Sequence, residues 1–230
     1  PDRIDLGLGR APGTDQRTMQ ALRRHPSVAE DFPQDVLELQ ALLGPVQPGQ
    51  AIQAVPGADT NVPLWILGSS LFGAQLAAML GLPYAFASHF APEALMAALD
   101  VYRKNFKPSP QLAEPYAMVG INVIAAETEA EARYLFTTPQ QQVTNLFRGT
   151  RGRLQPPIDD IEDYWTPAEK ARVRAMQACS FVGTGDSVAA QLAPFIERTG
   201  ADELIAAASI FDHGARKRSF EILAGVMTQL

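Results

Sequence analysis

Between residues 63 and 86 the apolar pattern changes period twice. "PLWIL" is a continuous apolar run and Gly68-Ser69-Ser70 follow it. The next stretch, from about Ser70 to Leu80, is apolar nearly all round until Gly81 and Pro83 interrupt it, and "YAFASHF" resumes the extended pattern. A short unbroken apolar run ending on small residues reads as a buried strand. An all-round apolar stretch predicts a helix buried on both sides.

The same alternation recurs along the chain. Residues 4–9, "IDLGLG", read as a short strand, and Thr14 or Asp15 is placed to cap a helix carrying Met19 and Leu22. In "QDVLELQALLG", Val36, Leu39, Leu42 and Leu43 share one helical face, with Gly44 and Pro45 as the stop. Pro92 opens a helix through Tyr102, and "YAMVGINVIAA" is a further strand. Thr128 with Glu131, and Thr166 with Glu169, have capping-box spacing. Pro139 is expected to break the first of these helices. Residues 148–165 lack periodicity and read as a lid-like loop. "SFVGTGDSV" leads into a helix capped by Asp186 or Ser187, which Pro194 should kink or shorten. "ELIAAAS" has ambiguous propensity but lies between Gly200 and Gly214 after a helix, which favours a strand, and a helix over 215–229 closes the chain.

Five strands alternating with helices predict an α/β protein with a parallel sheet. A flat doubly wound sheet would want a dinucleotide turn, and "GLGRAPG" has the wrong glycine spacing. A (β/α)8 barrel needs about 250 residues for eight units, so five units predict further strands upstream of Pro1. Apolar residues at 47% and charged ones at 19% suit a soluble globular protein. A net charge of −6 argues against nucleic acid or an anionic membrane as partner. The single cysteine, Cys179, excludes an internal disulfide and suits the cytoplasm.

Candidate chemistry sits where strands end. Gly68, Ser69 and Ser70 either form a plain serine N-cap or leave helix N–H groups and hydroxyls open to an anion. Arg10, after the first strand, is either a solvated charge or a second anion contact. His89 and His213 each follow a strand, so both are candidates for a catalytic rim, with a structural role the simpler reading. Asp212 beside His213 can raise its pKa or satisfy a hydrogen bond. His25 reads as solvated, and neither rim histidine has neighbours at metal-ligand spacing. Arg148, Arg151 and Arg153 punctuate the lid-like loop.

Three stretches carry a family resemblance: "RIDLGLGRAPGTD", "VPLWILGSSLFGAQLAAMLGLPYAFASHF" and "DELIAAASIFDHGARKRSFEIL". The chain resembles the bacterial luciferase-like family of flavin-dependent monooxygenases, in a branch apart from the light-emitting enzymes. The resemblance implies a TIM barrel, present here as one domain over residues 1–230 from its fourth strand onward. It implies FMN, used in reduced form with dioxygen to oxidise a small organic substrate, and a flavin reductase as supplier. It places the flavin phosphate at Arg10, Gly68, Ser69 and Ser70, and the catalytic residues upstream. A non-catalytic flavin-binding protein, or a barrel enzyme for a phosphorylated small molecule, are the alternatives. An unclosed barrel would expose an edge on its first and last strands and leave Val119 and Ile121, or their alternating neighbours, facing an incomplete core. It is therefore expected to rearrange, to pair with a second copy along its open edges as a homodimer, or to be the ordered remainder of a longer molecule, with flavin absent or weakly held.

Overall fold

Strand and helix alternate through most of the chain, as the apolar pattern requires. The computed structural model describes residues 3–10, 16–23, 29–150 and 152–230. The first elements are β1 (Leu6–Gly9), α1 (Gln16–Ala21), α2 (Phe32–Leu43), β2 (Leu64–Gly68), α3 (Leu71–Leu80) and β3 (Tyr84–Phe86). After a 3-10 turn at Pro92–Ala94 come α4 (Leu95–Asn105), β4 (Ala117–Ala125), α5 (Glu129–Arg148) and α6 (Pro167–Met176). The chain then forms β5 (Ser180–Gly183), α7 (Gly185–Thr199), β6 (Glu203–Ala207) and α8 (His213–Met227). The expected cap at Thr14 or Asp15, and His25 and Arg151, lie outside the described residues.

The strands join in the order β1-β2-β3-β4-β5, with β6 also on β4. β1 pairs with β2, and β4 with both β5 and β6, all in parallel. The chain divides into two compact units, Pro1–Ala85 with Ala97–Ala117, and Phe86–Met96 with Met118–Leu230.

In the first unit, Leu64 and Ile66 of β2 are buried with Ala74, Ala77 and Ala78 of α3. Tyr84 and Tyr102 complete this core with ring centroids 5.4 Å apart, and the Tyr102 hydroxyl donates to the Leu82 carbonyl at 2.9 Å. α3 is not buried all round. Leu71 and Met79 are exposed with Gln75 between them, one stripe at helical spacing, because only the opposite face meets the sheet. Its stop is as expected: Gly81 takes the left-handed conformation, φ +63°, and its carbonyl accepts from the Ser109 hydroxyl at 2.8 Å.

In the second unit, β4 serves two partners along nine residues. Met118–Asn122 pair with β6, and Asn122–Ala125 pair with β5. β5 is a strand beyond the five expected. Four residues of "SFVG" carry too little pattern to announce a strand, and β5 exists because the far end of β4 offers unpaired peptide groups: Asn122 N–H donates to the Cys179 carbonyl at 2.9 Å and Ala126 N–H to that of Gly183 at 3.1 Å. Behind β4, Ile124, Ala126, Ala132, Leu135 and Ile210 form a buried cluster.

Both helix prolines are tolerated. α5 runs through Pro139, whose neighbours are tied outward: the Thr138 hydroxyl donates to the Gln155 carbonyl at 3.0 Å, Gln141 Nε2 to the Pro156 carbonyl at 3.0 Å, and Ile158 N–H to the Thr137 hydroxyl at 2.9 Å. These bonds offset the one backbone bond that proline removes. α7 continues through Pro194, where Ala190, whose carbonyl loses its partner, is exposed to water. The lid-like segment is therefore fastened to α5. At its ends, Tyr164 donates to Asn145 Oδ1 at 2.9 Å and Arg148 to Glu169 at 2.7 and 3.0 Å. Both capping threonines act as expected, with the reciprocal box complete at Thr166 and Glu169.

Candidate functional site

Two strand-to-helix turns look alike in sequence, "GSS" after β2 and "GTGDS" after β5, and the structure separates them by what fills each.

At the second turn the place of an anion is taken by the protein's own carboxylate. Thr184, not Asp186 or Ser187, caps α7, accepting from Ser187 N–H. Glu129 Oε1 accepts the Thr184 N–H at 3.0 Å and is 3.4 Å from its hydroxyl. The Thr184 N–H, with the Ser187 hydroxyl next in weight, lowers the Glu129 pKa. Gly183 is glycine for this reason: at φ +149°, a Cβ would come within 2.7 Å of Glu129 Oε1 and 2.8 Å of Ser187.

Among the described residues, the first turn holds no such group. Ser70 is the N-cap residue of α3 in an extended conformation, its side chain makes no capping hydrogen bond, and no acidic residue lies in the first turn. Ser69 and Ser70 are exposed. The helix N–H groups there keep their partial positive charge without a side-chain acceptor at the cap. Because Gly9 is in register with Leu67, Arg10 and Gly68 follow at neighbouring strand ends. Arg10 adds a cation, its guanidinium carbon 4.0 Å above the centre of the Phe72 ring. This cluster of hydroxyls, peptide donors and a guanidinium has the chemistry of an anion site.

Gly68 plays a packing part. A Cβ there would meet the Tyr84 ring at 3.2 Å and the Gly73 backbone at 3.4 Å, so its small size lets the start of α3 close onto β3. The Tyr84 hydroxyl donates to the Ser70 carbonyl at 3.2 Å, and burial raises the phenol pKa well above its ordinary value. Phe72, Gly73 and Tyr84 were not legible as site residues, although two glycines five apart across a turn signal a close approach. A groove of about 660 Å³, lined by Arg3, Ile4 and residues 59–63, opens at the amino end of β1 and β2 and contains none of the candidates.

The histidines differ. His213 is exposed at the start of α8, where its Nδ1 lies 2.9 Å from Arg216. Asp212 does not pair with it; its carboxylate accepts from Ala215 N–H at 2.7 Å as the helix cap. His89, after β3, is half-buried, and burial lowers its pKa. Among the described residues no group of three or more His, Cys, Asp or Glu is arranged to hold a metal, and no helix is long and apolar enough to cross a membrane.

The model of the luciferase-like monooxygenase family matches residues 1–203. The chain belongs to that family. It is 50% identical over 231 residues to a luciferase-like monooxygenase of Escherichia coli (strain K12), covering 100% of this chain and 69% of the relative. The crystal structure of apo-MsnO8 superposes with a TM-score of 0.87 at 34% identity, over 99% of this chain and 69% of that one. Two more distant structures share the fold alone. The oxygenating constituent of 3,6-diketocamphane monooxygenase of Pseudomonas putida, in complex with FMN, has TM-score 0.59 at 15% identity, over 95% of this chain and 68% of that one. An F420-dependent secondary alcohol dehydrogenase has TM-score 0.65 at 14% identity, over 98% and 70%. The parallel α/β sheet thus has its neighbours among luciferase-like TIM barrels.

Proposed function

We propose that this chain carries the phosphate site of an FMN-dependent monooxygenase, with Arg10, Ser69, Ser70 and the first turn of α3 as the phosphate contacts. The observation that carries the reading is the contrast between the two turns. α7 begins on an internal carboxylate, whereas α3 begins on exposed donors beside a guanidinium, with no acidic group in its first turn. A phosphate dianion fits that donor set, since it accepts from several N–H and O–H groups at once and takes an arginine in bidentate fashion. Family membership and the FMN held by the camphane enzyme support a flavin as the phosphate's owner.

When bound, reduced flavin supplies the electrons that activate dioxygen, and one oxygen atom passes to a small organic substrate. The chain's own residues then bind and orient. Arg10, stacked on Phe72, meets the phosphate in a fixed plane, and the serine hydroxyls and α3 peptide groups complete its shell. Tyr84 holds the Ser70 carbonyl and so fixes the turn. A flavin reductase supplies the reduced cofactor, and the enzyme works as a homodimer.

The test is charge inversion. Replacing Ser69 and Ser70 together by Asp places carboxylates where the phosphate sits, and FMN affinity, read by calorimetry on the folded double variant, is expected to fall more than about tenfold, about 1.4 kcal/mol. Unchanged affinity moves the phosphate elsewhere.

A further inference from the structure

The turn between β5 and α7 collects the donors that bind anions, and a carboxylate of the chain is seated on them. The Thr184 N–H projects from the start of a 15-residue helix, and the hydroxyls of Thr184 and Ser187 stand beside it. Arg133, one turn along α5, brings a guanidinium to 3.6 Å from Glu129 Oε2. Glu129 Oε1 takes the Thr184 N–H at 3.0 Å. Peptide, hydroxyl and guanidinium donors converge here on one side chain, and the same donor types stand open after β2.

Two observations separate an excluding role from a plain tie between α5 and α7. The Glu129 side chain is 43% exposed, so the turn opens to water on the side the carboxylate enters, and the carboxylate is what fills it. Admitting it also constrains the backbone: Gly183 lies at φ +149°, where a Cβ would come within 2.7 Å of Oε1. A tie alone needs only one neutral acceptor for the Thr184 N–H, such as an amide oxygen. A full negative charge does more, because an approaching phosphate meets repulsion as well as occupied donors. Asp186, exposed in the first turn of α7, adds to that repulsion. The first turn of α3 carries no acidic residue.

We propose that Glu129 is a specificity-determining residue: its carboxylate keeps phosphate groups off the β5–α7 turn, so that a flavin phosphate is taken at the β2–α3 turn and refused here. The destination rests on the phosphate reading above, the refusal does not, and the experiment reads them separately. Inorganic phosphate is titrated into the full ¹⁵N-labelled chain, against sodium chloride at equal ionic strength, while the amide signals of Ser69, Ser70, Thr184 and Ser187 are followed. In the unsubstituted chain the Ser69 and Ser70 signals are expected to move, and those of Thr184 and Ser187 to stay still. In Glu129→Ala or Glu129→Ser, either of which serves if the other fails to fold, the Thr184 and Ser187 signals are expected to move saturably. Phosphate should bind that turn at least about tenfold more tightly than in the unsubstituted chain. Thr184 signals that stay still in the variants, or that move as much in the unsubstituted chain, overturn the assignment and leave the phosphate reading standing. Ser69 and Ser70 signals that stay still in every chain overturn the phosphate reading, and the Thr184 signals then decide the role of Glu129 on their own.

Discussion

Arg10→Ala tests the phosphate reading most directly, because the structure says what the side chain does without ligand as well as with it. Alone, the guanidinium stacks on Phe72 at 4.0 Å, and among the described residues it forms no ion pair. Losing the stack from an exposed site costs about 0.5–1 kcal/mol of stability. That loss is common to every ligand. Against a phosphate, the same group makes charge-assisted hydrogen bonds, each contributing about 1.5–3 kcal/mol. Exposure to water places Arg10 at the lower end, so FMN should bind about tenfold more weakly to the variant. Riboflavin has the same ring system and no phosphate, and its affinity should stay within about a factor of two. Arg10→Lys keeps the charge but loses the planar stack and the bidentate fork, and should lie between. The assay is calorimetric titration of both ligands into both proteins at two ionic strengths. The FMN preference should shrink as salt shortens the Debye length from about 10 Å at 0.1 M toward about 3 Å at 1 M. Equal losses for FMN and riboflavin, independent of salt, would refute the reasoning and make Arg10 a residue of the fold or of the ring site.

Two further predictions concern stability. Gly81→Ala combines a positive φ with a Cβ driven into the Lys107 carbonyl, and is expected to cost about 2–4 kcal/mol in urea unfolding; a loss under about 0.5 kcal/mol would mean that the helix end relaxes freely. Glu169, whose pKa the Arg148 guanidinium and the Thr166 N–H bring down to about 2, is more acidic folded than unfolded. Its contribution is therefore full above the ordinary carboxylate pKa of 4.5 and is lost as pH falls toward about 2. Glu169→Gln should flatten the acid limb of the unfolding midpoint over that window, and an acid limb identical to that of the unsubstituted chain would show that the α5–α6 link does not contribute.

What the sequence determined by itself was local. The order of strands and helices apart from β5, the caps at Thr128 and Thr166 and the stop at Gly81 follow from side-chain periodicity and from groups within a few residues of each other, so they are written in contiguous stretches. The serine turn after β2 was visible for the same reason. What only the tertiary structure decided involves partners far apart in the chain. β5 is a strand because β4 outruns its other partners, and no four-residue segment announces that. α5 passes through Pro139 because residues 155–158 return to bind its neighbours. Of two similar turns, the one after β5 is filled by Glu129, 55 residues before Thr184, whereas the one after β2 meets no such carboxylate among the described residues. His89 and Gly120 look unrelated in sequence, one a strand-end histidine and the other a weak point in a strand, until the fold sets the ring in the space the glycine leaves. Local propensity is a sum over neighbours in sequence, whereas filling a notch or neutralising a helix end depends on which distant group the packed chain delivers there.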